Sequence, residues 1–496
     1  MRSLDLKNYP IASHVHLYRQ GGMNIAYDVN SGSLHLLDDM TFAYIGEWSD
    51  YQKAFPQGLD RPESMLAATG HSLNRTAKAD ILRELAELQA EDLLFSRPVV
   101  FEGPETPQRP QIEIKAICLH VAHDCNLRCG YCFAGTGPFG GGRGLMSLEV
   151  GKKALDFVVR ASGVRKHCEV DFFGGEPLLN WPVVRDLVGY GRELEKRSGK
   201  TIKFTMTTNG VLFTDEVQDF VEKEHISLVL SLDGRQETHD RMRVFCDGSG
   251  SYEAVVDRVS GWMRRHAQTS RYAMGTYSYV RGTYTRHNLD FYRDVLHMAD
   301  LGIERISLEP VVASSGTLSD ASPGSPSDGE CSCSYGLTRE HVEALCESYD
   351  ILGEEARKGN FTFFHFNAGL AGPCLPKRLS GCGAGYEYVA VSPEGDLYPC
   401  HQFVGQEAFK MGSLFQDSLG GLTEKATADL AERFRQTTVY SKAACRGCWA
   451  RFSCSGGCHA SNVAHGGALD EVYVLGCALQ KKRLEVAYYL QICEAG

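Results

Sequence analysis

Cys125-Asn126-Leu127-Arg128-Cys129-Gly130-Tyr131-Cys132 is the stretch on which the reading of this chain turns. Three cysteines with spacings of three and two residues follow directly on Ile117, Leu119 and Val121, which alternate as a strand does and stop at His123-Asp124. A loop with three thiolates at a strand exit can hold three corners of a cubane 4Fe–4S cluster, because thiolate is the ligand such irons prefer. One iron then lacks a protein ligand and is open to another molecule. The alternative is a zinc loop, but a structural zinc site takes four ligands, and no fourth Cys or His has suitable local spacing. His123 is adjacent and reads as packing at the strand exit.

Working outward, Ile112 to Pro310 alternates between strand and helix patterns. Ser147 caps a helix with Val150, Ala154, Phe157 and Val158 on one face. Val170 and Phe172 alternate before Gly174-Gly175. Ile202, Phe204 and Met206 alternate before Thr207-Thr208-Asn209-Gly210, Ile226 to Leu232 before Asp233-Gly234, and Ile306 and Leu308 before Glu309-Pro310. Repeated strand-then-helix units predict an α/β fold with a parallel sheet, open or closed into a barrel. The polar signatures fall at the carboxyl ends of the strands, where α/β barrels place their active sites.

The rest of the 496 residues brackets this core. Val15–Tyr18, Asn24–Asp28 and Ser33–Leu37 read as short strands, the last two joined by a turn at Asn30-Ser31-Gly32. Helices follow at Met40–Trp48 and Thr76–Leu94, the second with Ile81, Leu82, Leu85 and Leu88 on one face. Residues 1–100 thus form a winged, α+β module without catalytic equipment. Residues 101–111, rich in Pro and Glu, read as a linker, 112–312 as the barrel and 313–336, rich in Ser, Gly, Asp and Pro, as a flexible insertion. One amphipathic helix (Val342, Leu345, Tyr349, Leu352) lies in the bridging region 337–373, and 374–496 is a cysteine-rich, turn-rich tail.

Composition sets the limits. With 43% apolar residues a disordered chain is excluded, and 51 basic against 62 acidic residues, a net charge of −11, argue against nucleic acid or an anionic membrane as partner. No apolar run reaches membrane-spanning length, and the N-terminus has no apolar signal core, so a cytoplasmic protein is expected. In a reducing compartment, 18 cysteines, none before Cys118 and seven between Cys382 and Cys477, point to metal ligation rather than disulfides.

The motifs together resemble the radical S-adenosylmethionine (SAM) superfamily. That resemblance implies a partial (β/α)6 TIM-like barrel in which SAM chelates the open iron, and an electron from the cluster splits the sulfonium to give a 5′-deoxyadenosyl radical. Gly174-Gly175-Glu176-Pro177 resembles the family's strand-two motif, whose carbonyls and acid receive the SAM ammonium; the two glycines allow close backbone approach and Glu176 supplies the anion. By the same resemblance Thr208, Asn209, Ser231 and Asp233 would contact the ribose and carboxylate, Arg243 and Arg281 the SAM carboxylate, and Glu309 the adenine. Tyr131 is the aromatic of the cysteine loop. No residue is expected to act as an acid or base.

Cys382, then Gly395 and Cys400, followed by Cys445-x2-Cys448-x5-Cys454-x3-Cys458 and Cys477, matches the SPASM extension of peptide-modifying radical SAM enzymes, which implies two auxiliary 4Fe–4S clusters. Cys445, Cys448, Cys454 and Cys477 would hold the outer one, and Cys382, Cys400 and Cys458 the inner one. Cys374 would complete the inner site or leave it open to a substrate thiolate. A pair of zinc ribbons is the alternative. Cys118, Cys168, Cys246, Cys346 and Cys493 read as ordinary core or surface residues, and Cys331 and Cys333 as redox-labile surface thiols.

Cys118-Leu-His-Val-Ala-His-Asp-Cys125, Phe172-Phe-Gly-Gly-Glu-Pro177, Phe364-His-Phe366, Tyr398-Pro-Cys-His-Gln-Phe-Val404 and Cys454-Ser-Gly-Gly-Cys458 resemble the SCIFF maturases, which form thioether cross-links in small six-cysteine peptides. The resemblance spans Asn24 to Ala487, apart from the insertion. It implies a PqqD-like N-terminal module that binds a leader peptide by strand addition, a cysteine-rich precursor peptide as substrate, and a small reductant protein, flavodoxin or ferredoxin. A DNA-binding winged helix is disfavoured by the acidic Asp28, Asp38 and Asp39. Other readings are a formylglycine-forming sulfatase maturase, which lacks such a module, an iron–sulfur electron carrier, or a zinc-ribbon scaffold.

Overall fold

The computed structural model describes residues 4, 6, 9–54, 75–98, 112–267, 277–312, 335–368, 375–416 and 425–495. The linker 101–111, Cys331, Cys333 and Cys374 lie outside the described residues.

At the N-terminus, β1 (Val15–Gln20), β2 (Met23–Asp28) and β3 (Leu34–Leu37) form an antiparallel sheet in the order β1-β2-β3. Period-two alternation divides its side chains between two buried faces. Val15 and Ala26 meet Tyr44 and Ile45 of the helix Asp39–Ala54 and Ile81 and Leu85 of the helix Arg75–Ala90. Tyr18, Ile25 and Tyr27 face the other way, onto Trp449, Phe452, Leu484 and Tyr488. The acidic residues counted above against DNA do structural work instead. Asp28 is fully buried and accepts from the backbone of Asn30, Ser31 and Ser96, while Asp38 accepts from Met40 N and Thr41 N at a helix start. The argument against DNA therefore cannot rest on Asp28 as surface charge.

The second sheet has ten strands in the order β10-β9-β8-β7-β6-β5-β4-β11-β12-β13. β4 (Ala116–Ala122), β5 (His167–Gly174), β6 (Thr201–Thr208), β7 (Ser227–Ser231), β8 (Tyr279–Tyr284), β9 (Arg305–Pro310) and β10 (Thr362–Phe363) run parallel. This is the expected α/β architecture. Its core includes Ile117, Leu119, Val170, Phe172, Phe204 and Met206, the apolar positions of the alternating pattern. Ser147 accepts from Val150 N at 3.2 Å and caps the helix Leu148–Ala161, whose Ala154, Phe157 and Val158 are buried.

Two features depart from the sequence reading. β8 has no counterpart in it, because Gly282 interrupts the strand pattern. The glycine is needed there: a Cβ would lie 2.5 Å from the Leu232 carbonyl of the neighbouring strand end. The cysteine-rich region is also not merely a tail. Its β11 (Tyr388–Val391) pairs parallel with β4, and β12 (Asp396–Tyr398) and β13 (Gly412–Ser413) continue the sheet antiparallel. It ends in a 22-residue helix, Val474–Ala495. That helix carries no clean amphipathic stripe, because it is enclosed by the bridging helix Val342–Ala356, β1 and the segment Arg451–Cys454. Among the described residues no helix is long and apolar enough to cross a membrane.

Candidate active site and cysteine clusters

The loop Cys125–Cys132 leaves the carboxyl end of β4 and is held against the end of β5 by backbone alone. Gly175 N donates to Ala122 O at 2.7 Å and Glu176 N to Asp124 O at 2.8 Å. A Cβ on Gly174 would stand 2.2 Å from Ala122 O, and one on Gly175 2.1 Å from Asp124 O. Both positions therefore require glycine. The sulfur of Cys125 accepts from Leu127 N at 3.4 Å and from Asn209 Nδ2 at 3.6 Å. Burial, then the Glu176 carboxylate, pushes the Cys125 thiol up to about 11. Burial also pushes Cys129 up, against the pull of Arg243, and Cys132 and Cys125 act on it electrostatically. Without a cation these buried thiols stay protonated; a metal supplies the charge that turns them into ligands. Among the described residues no three His, Cys, Asp or Glu side chains converge as one metal ion requires. The three thiols of this loop, with N–H donors on the Cys125 sulfur, are the residues that would hold three irons of a cubane.

Around this loop the strand ends supply polar groups in two linked sets. In the first, Glu176 is fully buried; Oε1 accepts from Leu178 N at 3.0 Å and Thr208 Oγ1 at 2.7 Å, and Oε2 from Asn209 N at 2.8 Å. Burial raises its carboxyl to about 7 despite those donors. Glu176 thus ties the ends of β5 and β6 together, and Asn209 passes that order on to Asn126 and Cys125 of the loop. In the second set, the buried Asp233 carboxylate after β7 accepts from Tyr131 OH at 2.8 Å, Arg243 Nε at 2.9 Å and Thr283 N at 2.9 Å. The Arg243 guanidinium lies 5.6 Å from the centre of the Tyr131 ring. Tyr131 is therefore an anchor between the cysteine loop and β7.

Of the remaining expected contacts, Ser231 is paired in register with Arg281. Arg281 lines a cavity of about 580 Å³ on the concave face of the sheet. Asp171, Phe173, Tyr279, Tyr388 and His401 share that wall, and so does Cys118. Cys118 is 1% exposed and lies in the electrostatic reach of Asp171, Tyr388 and Cys400, so it borders the cavity and is not remote core. Asp171 is raised to about 6 by burial, then by Glu169. Asp171 and Tyr388 have no place in the sequence reading, and His401 enters it only inside the quoted stretch Tyr398–Val404, without a role; the inward phase of β5 is a signal for Asp171, and nothing local marks Tyr388. Glu309 does not line this cavity. It borders a second one of about 480 Å³ between the N-terminal sheet, the end of β9 and the C-terminal helix, 2.9 Å from His365 Nε2 and 3.9 Å from Arg483 Nη1.

The cysteines of the C-terminal region fall into two groups. Cys400 is pushed up by burial and by Cys458 and Cys382. Cys454 is pushed up by burial and by Cys477, Cys445 and Cys448. Cys458 leads into the helix His459–Gly466, and Cys454 ends the segment Arg451–Cys454, so one short Gly-Gly loop carries a member of each group. Cys168 is buried, Cys246 exposed, and Cys346 and Cys493 half-buried, all outside these groups.

Two family profiles match the chain: the radical SAM superfamily over residues 119–261 and the SPASM iron-sulfur cluster-binding domain over residues 382–449. A serine-type anaerobic sulfatase-maturating enzyme of Bacteroides thetaiotaomicron is 25% identical over 357 residues, covering 67% of this chain and 80% of that protein. The antilisterial bacteriocin subtilosin biosynthesis protein AlbA of Bacillus subtilis is 25% identical over 358 residues, covering 69% of each. The crystal structure of Streptococcus suis SuiB bound to precursor peptide SuiA superposes with a TM-score of 0.51 at 16% identity, over 94% of this chain and 98% of that one. This last likeness extends the shared fold to nearly the whole length. Residues 119–261, whose three-cysteine loop lies at the carboxyl end of a parallel sheet, thus match the radical SAM superfamily, and residues 382–449, which β11 joins to that sheet, match the SPASM iron–sulfur cluster-binding domain.

Proposed function

We propose that this protein is a radical SAM enzyme that installs thioether cross-links in a ribosomally made, cysteine-rich precursor peptide. The observation that carries the reading is the unequal grouping of the SPASM cysteines. Among the described residues, Cys454 is grouped with Cys445, Cys448 and Cys477, four thiols that would fill one cluster's ligand positions, while Cys400 is grouped with Cys382 and Cys458 alone. Cys400 of the smaller set is in electrostatic reach of Cys118 and Tyr388, and those two residues, with its chain neighbour His401, line the barrel cavity. On this reading Cys374 does not complete the smaller set, and a substrate cysteine in that cavity takes the open coordination position, which would hold its sulfur as thiolate and aim it.

When bound, SAM at the cluster of Cys125, Cys129 and Cys132 supplies a 5′-deoxyadenosyl radical that takes one hydrogen atom from substrate carbon. The chain's own residues do the rest by position. Gly174 and Gly175 would present backbone to the cofactor, Arg243 would offer a cation to its carboxylate, and Asn209, Thr208, Ser231 and Asp233 would hold its ribose. The precursor's leader docks on the N-terminal module by adding a strand to β3, whose outer edge pairs with no other strand among the described residues and which carries the exposed Leu36. A flavodoxin or ferredoxin delivers the electron, and the enzyme works in the cytoplasm.

A protein oxidase such as a sulfatase maturase is the competing reading, favoured by the relative from Bacteroides thetaiotaomicron. Co-expression with a short cysteine-rich peptide separates the two. The expected product has lost a pair of hydrogen atoms per cross-link and has cysteines that no longer alkylate, and Cys129→Ala abolishes both changes. Formation of an aldehyde instead, or unmodified peptide in the presence of active SAM cleavage, overturns the thioether reading.

A further inference from the structure

Between the two SPASM cysteine groups lies a lysine that neither the motifs nor the comparisons single out. Lys442 is 1% exposed. Its Nζ donates to Gly456 O at 2.7 Å, and the same carbonyl accepts from Asn462 Nδ2 at 3.0 Å. Gly456 belongs to the loop Cys454-Ser-Gly-Gly-Cys458, so the ammonium is pinned to the segment that contributes one ligand to each group. The loop wraps it closely: a Cβ on Gly456, which has φ +81°, would stand 3.3 Å from Nζ. The cysteines that act on Lys442 electrostatically are Cys445, Cys454 and Cys477 of the outer group and Cys458 of the inner one. No carboxylate among the described residues pairs with it.

A buried ammonium with one carbonyl and no counter-anion is an expensive arrangement. It becomes favourable when the surrounding sulfurs are metal-bound thiolates, since a cubane with four of them is a dianion and a trianion after taking one electron. The cation favours the more negative state, because the Coulomb attraction grows with the charge opposite it. We propose that Lys442 is the shared counter-charge of both auxiliary clusters and raises their reduction potential, making them electron acceptors for the reaction. This rests on the function proposed above. There, one hydrogen atom leaves with the adenosyl radical, the substrate thiol's proton leaves to solvent, and closing the C–S bond leaves one electron for these clusters, which the external redox protein then removes.

The test is redox titration of the reconstituted full-length enzyme, monitored by electron paramagnetic resonance, for wild type, Lys442→Met and Lys442→Arg. In Lys442→Met the ratio of reduced to oxidised auxiliary cluster at a fixed ambient potential is expected to fall about tenfold, a shift of about 59 mV for a one-electron couple. Lys442→Arg keeps the charge and is expected to stay near wild type. If Lys442→Met loses auxiliary iron while Lys442→Arg keeps it, the counter-charge role is supported through assembly. Unshifted potentials with intact clusters, or equal losses in both variants, overturn it. Iron sufficient only for the first cluster in the wild type instead removes the two-auxiliary-cluster reading itself, a distinguishable failure.

Discussion

Replacing Asp233 by Asn takes one charge from a fully buried site. The carboxylate is fully buried and receives Tyr131 OH, Arg243 Nε and Thr283 N at 2.8–2.9 Å. Arg243, its ion-pair partner, has a side chain only 11% exposed. An amide can accept from two of the three donors with its oxygen, but its NH2 then confronts the third, and the guanidinium loses its counter-charge. Breaking a buried pair from one side costs about 3–5 kcal/mol, or roughly two to four decades in the unfolding equilibrium. Urea unfolding of the cluster-free protein, followed by circular dichroism, measures this for wild type, Asp233→Asn, Arg243→Met and the double variant. Because each single change strands the other partner, the double variant is expected to recover at least about 2 kcal/mol relative to the sum of the singles. Additive losses, or a single-variant loss below about 1 kcal/mol, would show that Asp233 and Arg243 are solvated independently and would refute the anchor assigned to Tyr131 and Asp233.

Three further outcomes are expected. Glu176 has its carboxyl raised to about 7 from an ordinary 4.5, so the fold binds its proton more tightly than the unfolded chain does. Its contribution is greatest below pH 4.5 and is lost as pH rises towards 7, by about 3 kcal/mol in all; melting curves of cluster-free wild type and Glu176→Gln that stay parallel between pH 5 and 8 would contradict this. Gly175→Ala puts a Cβ 2.1 Å from Asp124 O and must displace the start of the cysteine loop; about a hundred-fold loss of SAM cleavage is expected with an unchanged circular dichroism spectrum, and wild-type cleavage counts against the close approach. Trp449 stacks on His16 at 3.8 Å, and His16 reaches Glu485 at 2.9 Å. Trp449→Ala therefore removes about 3–5 kcal/mol of docking energy, to be read as faster hydrogen exchange in β1 and β2; unchanged protection there would mean the module is held by other contacts.

The amino-acid sequence by itself determined the features whose physics is local. The proposed ligands of the first cluster sit in one loop, so the spacing of Cys125, Cys129 and Cys132 is visible without a fold. Strand phase is equally local, which is why β4, β5 and β6 and the capping Ser147 stand where the alternation puts them. Only tertiary structure decided which distant groups share a space. β11 adds itself to the free edge of β4, carrying Tyr388 to Cys118 and Asp171 across some 270 residues of chain, a pairing with no periodic signal because backbone hydrogen bonds at a sheet edge are blind to sequence. Glu309 was grouped with the other strand ends, and the ion pairs it makes with His365 and with Arg483 of the C-terminal helix had no signal in the strand pattern. That helix itself was hidden because burial on several sides erases the polar stripe by which an amphipathic helix is known. Lys442 looks like any surface lysine until packing removes its water and leaves sulfur as its only source of negative charge.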